Sequence, residues 1–194
     1  MTGFTRREIL ALMAFAPMAS EAALGTSAMV DPLQQRLQAD IWRRPRTLNL
    51  TRSETGEQRR LAFWEDGKYN IDAVVAISVL MRDVKDDKIS AISPDLLNAM
   101  YGMSAWLAAY NAPNQINVTS GFRSLSTNRK TEGAARDSAH TRGEAVDFTV
   151  PGVKTEYVAR LAAYMQAGGV GYYPAKNFVH VEVGDVRTWV SRRK

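Results

Sequence analysis

The chain has 194 residues, of which 45% are apolar and 23% are charged, and its formal net charge at pH 7 is +5. This length and composition suit one globular domain with a substantial core, and they exclude a disordered tail, a low-complexity segment and a disulfide-rich scaffold. The absence of cysteine excludes disulfides, thiolate metal sites and a lipobox for a lipid anchor.

Residues 1–22 have the pattern of a bacterial export signal. The pair Arg6–Arg7 precedes an apolar run, Ile9–Ala16, that is too short to span a bilayer, and the small residues Ser20 and Ala22 suit a cleavage point. Because the apolar run has no polar face, an amphipathic first helix of the fold is disfavoured. The arginine pair favours the twin-arginine route, while the ordinary secretory route, whose signals also begin with arginines, remains an alternative.

We expect residues 23–30 to form a linker, and residues 31–194 to form a single domain that acts outside the cytoplasm as a monomer without an integral membrane segment. Removal of residues 1–22 takes away two arginines and two glutamates, so the net charge of +5 is retained. A basic exported protein suits an anionic cell wall or membrane surface. Nucleic acid is disfavoured as a partner, because the basic residues are scattered and form no recognisable recognition helix.

The first half of the domain is predicted to contain helices over residues 31–42, 71–84 and 93–111 and a β-hairpin of residues 46–52 with 59–67. The second helix carries a nearly continuous apolar run and is expected to be buried. Ser93 is expected to cap the third helix, with Pro94 in its first turn. The apolar residues of this third helix recur at helical spacing and are assigned to the core: Leu97, Met100, Tyr101, Trp106, Leu107 and Tyr110.

The second half is predicted to contain a strand at 116–121, a polar loop at 122–140, a strand at 143–150, a helix at 154–166 and a hairpin at 168–184. Strands that are separated by a helix and closed by a hairpin predict an α+β fold. Its sheet is expected to be small and largely antiparallel, with flanking helices on one face.

Both histidines of the chain lie near carboxylates. His140 precedes Asp147 by seven residues, and Asp147 interrupts an apolar strand, where an ionised carboxylate is costly unless it is paired or binds a metal. Further along, alternation places His180 and Glu182 on one strand face. Zinc sites that perform chemistry commonly use three histidine or carboxylate ligands, so His140, Asp147 and His180 are candidates. The alternatives are a hydrogen-bonded structural histidine and an ion pair between Asp147 and one of the 25 basic side chains.

Several ordered motifs make the chain recognisable: SGFRS at 120–124, Asn128, SAHTRGEAVDF at 138–148 and GGVGYYPAKNFVHVEVGDVRTW at 168–189. They resemble the zinc peptidases of the D-alanyl-D-alanine carboxypeptidase group, and within it the YcbK-like branch of exported cell-wall endopeptidases. The resemblance covers roughly residues 45–190. It implies the hedgehog/D-Ala-D-Ala-peptidase-like fold, which these enzymes share with lysostaphin-type enzymes and hedgehog signalling domains.

The resemblance implies that His140, Asp147 and His180 bind Zn²⁺. The same three residues are candidates on the basis of their ligand types and positions alone. It assigns Arg123, within SGFRS, to a carbonyl or carboxylate oxygen of the substrate. A cation at that place would stabilise the oxyanion of a tetrahedral intermediate. A surface ion pair is the alternative for Arg123. The ligand types favour zinc over iron or copper, with manganese and nickel left open.

The general base is the point at which the chain departs from the wider group. Many members have an acidic residue three positions before the second histidine, where this chain has Asn177, which cannot take a proton. Glu182 is the natural substitute, since the YcbK-like pattern has aspartate at that position. Two roles are open for Glu182: general base, or a group that orients a ligand histidine. Asp137 and Asp185 are less favoured candidates for the general base.

The sequence therefore predicts a periplasmic or otherwise exported zinc-dependent peptidase that hydrolyses amide bonds in peptidoglycan stem peptides or cross-links. The competing prediction is a non-catalytic, zinc-containing module that binds the cell wall or regulates an enzyme, and Asn177 is the feature that favours it.

Overall fold

The computed structural model describes residues 40–166 and 168–191. Within these residues, one sheet has the strand order β3-β2-β1-β4-β5-β7-β6-β8. The strands are β1 Arg46–Arg52, β2 Gln58–Glu65, β3 Lys68–Tyr69, β4 Ile116–Ser120, β5 Ala145–Thr149, β6 Gly169–Tyr173, β7 Phe178–Glu182 and β8 Arg187–Val190. The α-helices are α1 Ile71–Leu80, α2 Pro94–Ala109, α3 Leu125–Lys130 and α4 Thr155–Met165, and residues 40–43 are also helical. Two 3₁₀ turns span Ala139–Arg142 and Pro174–Lys176.

The α+β class is confirmed, and the sheet is larger and more mixed than the sequence predicted. It contains eight strands among the described residues, and β1–β4 and β6–β8 pair in parallel, while the other neighbours are antiparallel. The predicted export signal at 1–22, the linker at 23–30 and most of the predicted helix at 31–42 lie outside the described residues. No helix in the described part of the chain is both long and apolar enough to cross a bilayer.

The core lies between one face of the sheet and helices α2 and α4. On strands β5 and β7, Val146, Phe148, Val179 and Val181 are buried and alternate with the polar residues of the opposite face. Ser93 caps α2 by accepting a hydrogen bond from the amide of residue 95, as predicted. The six predicted core residues of α2 and its end are all buried: Leu97, Met100, Tyr101, Trp106, Leu107 and Tyr110.

Helix α1 differs from its prediction in length and burial. It ends at Leu80 instead of continuing to residue 84, because the chain reverses direction in a turn after the helix. In this turn the amide of Asp83 donates to the carbonyl oxygen of Lys88, and the amide of Lys88 donates to that of Asp83. Ile71 and Val75 are 66% and 55% exposed, so only one side of the apolar run is buried.

The predicted polar loop at 122–140 contains helix α3, and a further strand, β8, follows the predicted hairpin. Ser124 Oγ caps α3 by accepting a hydrogen bond from the amide of Thr127. Both elements are short, and both depend on distant parts of the chain for their partners.

Candidate metal centre

Strands β5 and β7 bring two of the candidate ligands side by side. Asp147 and His180 are directly opposite each other in the antiparallel ladder, so their side chains project from the same face. That face is opposite the apolar one formed by Val146 and Val181. Asp147 and His180 are 5% and 8% exposed, so the carboxylate is buried, as its apolar sequence neighbours suggested.

His140 reaches the same place from the 3₁₀ turn before β5. The turn ends at Gly143, which has φ 70° and lies against the backbone of Ala91, where a side chain would collide. The Nδ1 of His140 is 2.7 Å from the carbonyl oxygen of Gly121. Because a carbonyl can only accept, Nδ1 carries the proton and donates, which leaves the lone pair of Nε2 available.

Three possible ligand atoms converge on this face. His140 Nε2 is 3.3 Å from Asp147 Oδ1 and 3.2 Å from His180 Nδ1, and His180 Nδ1 is 2.8 Å from Asp147 Oδ1. Ligand atoms placed 2.0–2.1 Å from a tetrahedral zinc ion lie about 3.3 Å from one another. The donor set, two imidazole nitrogens and one carboxylate oxygen, therefore fits a zinc-type ion with one further position for water or substrate.

Arg123 lies next to this cluster, in the segment that follows β4. Its Nη2 donates to Asp147 Oδ2, and its Nε donates to Ser120 Oγ at 2.8 Å. The Arg123 side chain is 14% exposed, and its guanidinium compensates the buried carboxylate from the side that does not face the histidines. Arg123 therefore fixes which oxygen of Asp147 is directed toward the two imidazoles.

Glu182 contacts the far side of His180. Its Oε2 is 3.1 Å from His180 Nε2, the ring nitrogen that points away from the cluster, and its Oε1 accepts a hydrogen bond from Arg187. The carboxylate lies over Gly169 of β6, where a Cβ would come within 2.7 Å of Oε1. Glu182 thus holds the His180 ring in the orientation that directs Nδ1 at Asp147.

Trp189 completes this side of the site, and the sequence reasoning did not select it. Its indole ring is 5.4 Å from the His180 ring, and the guanidinium of Arg187 lies 5.1 Å from the indole centroid. Gly171 makes room for the indole, since a Cβ there would be 2.6 Å from it. The alternation of Arg187 and Trp189 in VRTW is a strand signal that could have placed both on this face.

The electrostatics of the cluster follow from burial and close partners. Burial lowers the pKa of His140. Burial alone would raise the pKa of Asp147, but the adjacent histidines and Arg123 outweigh it and hold that pKa well below its usual range. Burial opposes charging of His180, yet its hydrogen bonds to Asp147 and Glu182 raise its pKa. The bond from His180, with help from Arg187, lowers the pKa of Glu182 to about 2.

The remaining candidates lie away from the cluster. Asn177 has a left-handed backbone, with φ 53°, and its side chain accepts a hydrogen bond from Thr155 Oγ1. Asp137 is exposed and pairs with Arg142, and Asp185 is also exposed. Glu182 is therefore the one acidic candidate for the base that the structure brings to the histidines.

The chain is similar to known proteins over most of its length. A family model described as peptidoglycan L,D-endopeptidase MepK matches residues 41–189. The chain is 33% identical over 188 residues to peptidoglycan L,D-endopeptidase MepK of Escherichia coli K12, covering 95% of this chain and 96% of that protein. It is 36% identical over 150 residues to a probable peptidoglycan L,D-endopeptidase MepK of Haemophilus influenzae, covering 75% of this chain and 80% of the relative. The chain therefore belongs to the peptidoglycan L,D-endopeptidase MepK family of peptidases.

Proposed function

We propose that this protein is an exported zinc-dependent endopeptidase that hydrolyses amide bonds in peptidoglycan cross-links. The observation that carries the proposal is the convergence of His140 Nε2, Asp147 Oδ1 and His180 Nδ1 beside the Arg123 guanidinium. Both relatives are named as L,D-endopeptidases, which supports cross-links of the L,D type as the substrate.

His140, Asp147 and His180 would hold the zinc ion. When bound there, zinc would supply a Lewis acid that polarises the scissile carbonyl and lowers the pKa of a water molecule. Arg123, held by Ser120 and Asp147, would direct its guanidinium at the substrate oxygen on which negative charge develops. Loss of one such donor typically lowers turnover about 10²- to 10³-fold.

Of the two roles open for Glu182, its contacts favour the orienting one. A carboxylate that accepts the Nε2 proton of His180 fixes the tautomer in which Nδ1 keeps its lone pair, and it increases the basicity of that nitrogen. The second oxygen of Glu182 is already bonded to Arg187. Both oxygens of Glu182 are thus engaged, one by His180 and one by Arg187, which supports the orienting role.

A non-catalytic wall-binding or regulatory module remains the second candidate, because Asn177 replaces the usual acidic residue and is bonded to Thr155 away from the cluster. The decisive experiment incubates the purified protein with muropeptides that contain L,D or D,D cross-links, with added zinc or with a chelator. We expect zinc-dependent cleavage of the L,D cross-link, and mass spectrometry identifies the bond. Muropeptides that stay intact in the presence of zinc would contradict the peptidase and favour the non-catalytic module.

Replacing either histidine tests the metal centre directly. The protein should bind about one zinc ion per chain, in line with a three-ligand site. His140→Ala and His180→Ala should each lose the ion and the cleavage together. Unchanged zinc content in both variants would refute the site, whatever the activity.

Export by residues 1–22 is a separate part of the proposal. Residues 1–30 fused to a reporter should carry it out of the cytoplasm, and replacement of Arg6 and Arg7 by lysine should block this on the twin-arginine route. Continued export of the lysine pair assigns the ordinary secretory route, and retention of the unaltered fusion in the cytoplasm contradicts export.

A further inference from the structure

Asp83 is a buried carboxylate outside the metal centre. It is 3% exposed, and its oxygens accept hydrogen bonds from backbone amides of both its own turn and a distant segment. Within its turn the donors are the amides of Lys85 and Asp86, at 3.0 and 3.3 Å. The distant donor is the amide of Ser124, 2.8 Å from Asp83 Oδ2. A carboxylate buried with amide donors of this kind stabilises one backbone arrangement strongly.

The segment that Asp83 binds is the one that carries Arg123. The amide of Phe122 donates to the carbonyl oxygen of Met81 at 2.8 Å, and the amide of Ser124 donates to Asp83. Between them, the amide of Arg123 donates to the carbonyl oxygen of His140 at 3.1 Å. Three consecutive amides are thus fixed, two by the chain at Met81–Asp83 and one by the metal-ligand turn.

A second carboxylate, that of Asp86, also holds this segment by hydrogen bonds. Asp86 accepts hydrogen bonds from the hydroxyls of Ser124, at 2.6 Å, and Ser126. Ser124 Oγ in turn caps helix α3. Gly121, which directly precedes this segment, packs closely against Met81, since a Cβ on Gly121 would collide with the Met81 backbone. The turn of residues 83–88 and the start of α3 therefore form one hydrogen-bonded unit.

We infer that Asp83 is a positioning residue for Arg123: through the Ser124 amide it sets where the guanidinium lies relative to Asp147 and the substrate oxygen. This inference rests on the proposed function for its effect on turnover, and on the backbone contacts alone for its effect on the position of Arg123. Displacement of a group at a reacting centre by about 1 Å can lower a rate about 10²-fold. The His140 turn also has bonds outside this segment, from the Ser93 amide to Gly143 and from the Glu144 amide to Ala139, so the turn itself should stay folded when the Ser124 amide moves.

The test compares Asp83→Asn with Asp87→Asn as the matched control. Asp87 stands in the same turn and loses the same charge, but its side chain is 90% exposed and pairs with Arg82. We expect Asp83→Asn to lower turnover of the cross-linked muropeptide about 10- to 100-fold with zinc in excess, and zinc content is measured in parallel. Asp87→Asn should match the wild type in both. If Asp83→Asn does not fold, Asp83→Glu replaces it, since the extra methylene must displace the Ser124 amide.

A double-mutant cycle separates positioning from a general loss of stability. In an Arg123→Ala background, Asp83→Asn should lower turnover by less than about twofold, because the group that it positions is gone. An equal loss in both backgrounds would overturn the inference.

A spectroscopic measurement keeps the inference testable if the wild-type protein cleaves nothing. The Nε–H proton of Arg123, bonded to Ser120 Oγ, is identified in ¹⁵N NMR spectra by its absence from Arg123→Ala. Its resonance should shift in Asp83→Asn and stay in place in Asp87→Asn. An unchanged resonance in Asp83→Asn would overturn the inference independently of any activity.

Discussion

Glu182 contacts His180, one of the candidate metal ligands, on the side that points away from the cluster. Its carboxylate is bonded to His180 Nε2 and Arg187, and Gly169 leaves the space that it occupies. We expect Glu182→Gln to weaken zinc affinity about 10- to 100-fold, because a neutral amide is a poorer acceptor for the imidazole proton. Excess zinc should restore most of the turnover, and Glu182→Asp should be milder.

The competing role of Glu182 gives a different result in the same assays. A general base would leave zinc affinity unchanged in Glu182→Gln, while turnover would fall about 10²- to 10⁴-fold at every zinc concentration. Glu156→Gln is the control, since the side chain of Glu156 in α4 is 47% exposed and pairs with Arg160. Competition with a chromophoric chelator measures the affinity.

Asp83 also makes an acid-dependent contribution to stability. Burial would raise its pKa, but hydrogen bonds from Thr127, Ser124 and Asp86 outweigh burial and lower it. A carboxylate whose pKa is lower in the folded state stabilises the fold above its unfolded-state pKa of about 3.9, and the contribution is lost as the pH falls toward the folded-state value. Urea unfolding of the metal-free protein between about pH 5 and 2 should therefore depend less steeply on pH in Asp83→Asn than in the wild type. Equal slopes would contradict the assigned bonds.

Strands β6 and β8 border the candidate site, because Gly169 of β6 contacts Glu182 and Trp189 of β8 lies beside His180. Gly171 on β6 faces the indole of Trp189, so an added Cβ would overlap the ring. We expect Gly171→Ala to lower the free energy of unfolding by about 1–3 kcal/mol, the usual cost of overpacking. In a Trp189→Ala background the clash is absent, and the same change should stabilise the protein by about 0.4–1 kcal/mol, because alanine has less conformational freedom to lose. Equal destabilisation in both backgrounds would show that the indole is not the cause.

The sequence predicted the elements whose signals are local. Helix α2 has a cap, a proline and helical spacing, and strands β5 and β7 show alternation, so Asp147 and His180 could be placed on one face. Helix α3 and strand β8 were missed. The first has six residues and is held by Asp86 from 40 positions away, and the second pairs in parallel with β6. The orientation of Glu182 toward the far nitrogen of His180 was also beyond the sequence, because a strand pattern gives the face of a side chain and not its rotamer.

His180 is distant in sequence from the other two candidate ligands and meets them only in the folded chain. Asp147 and His180 are 33 residues apart, and His140 and His180 are 40 apart. An ion that binds the folded state and not the unfolded one stabilises it, by about 2.7 kcal/mol at a free concentration of 100 times Kd. Urea unfolding should therefore shift to higher urea when zinc replaces chelator, and His140→Ala should lose the shift. A shift of equal size in that variant would place the ion elsewhere.

The two imidazoles direct different nitrogens at the cluster, Nε2 of His140 and Nδ1 of His180. This difference can be detected by NMR spectroscopy. His140 keeps its proton on Nδ1, for the Gly121 carbonyl, whereas His180 keeps its proton on Nε2, for Glu182. Since the chain has two histidines in all, the long-range ¹H–¹⁵N spectrum of the zinc-loaded protein at about pH 8 should contain one ring of each tautomer. Asparagine and glutamine then differ as replacements: the shorter amide places its polar atom near the position of Nδ1, and the longer one near that of Nε2. His180→Asn and His140→Gln should consequently retain more metal affinity than His180→Gln and His140→Asn, so that each pair of variants reports which nitrogen faces the ion.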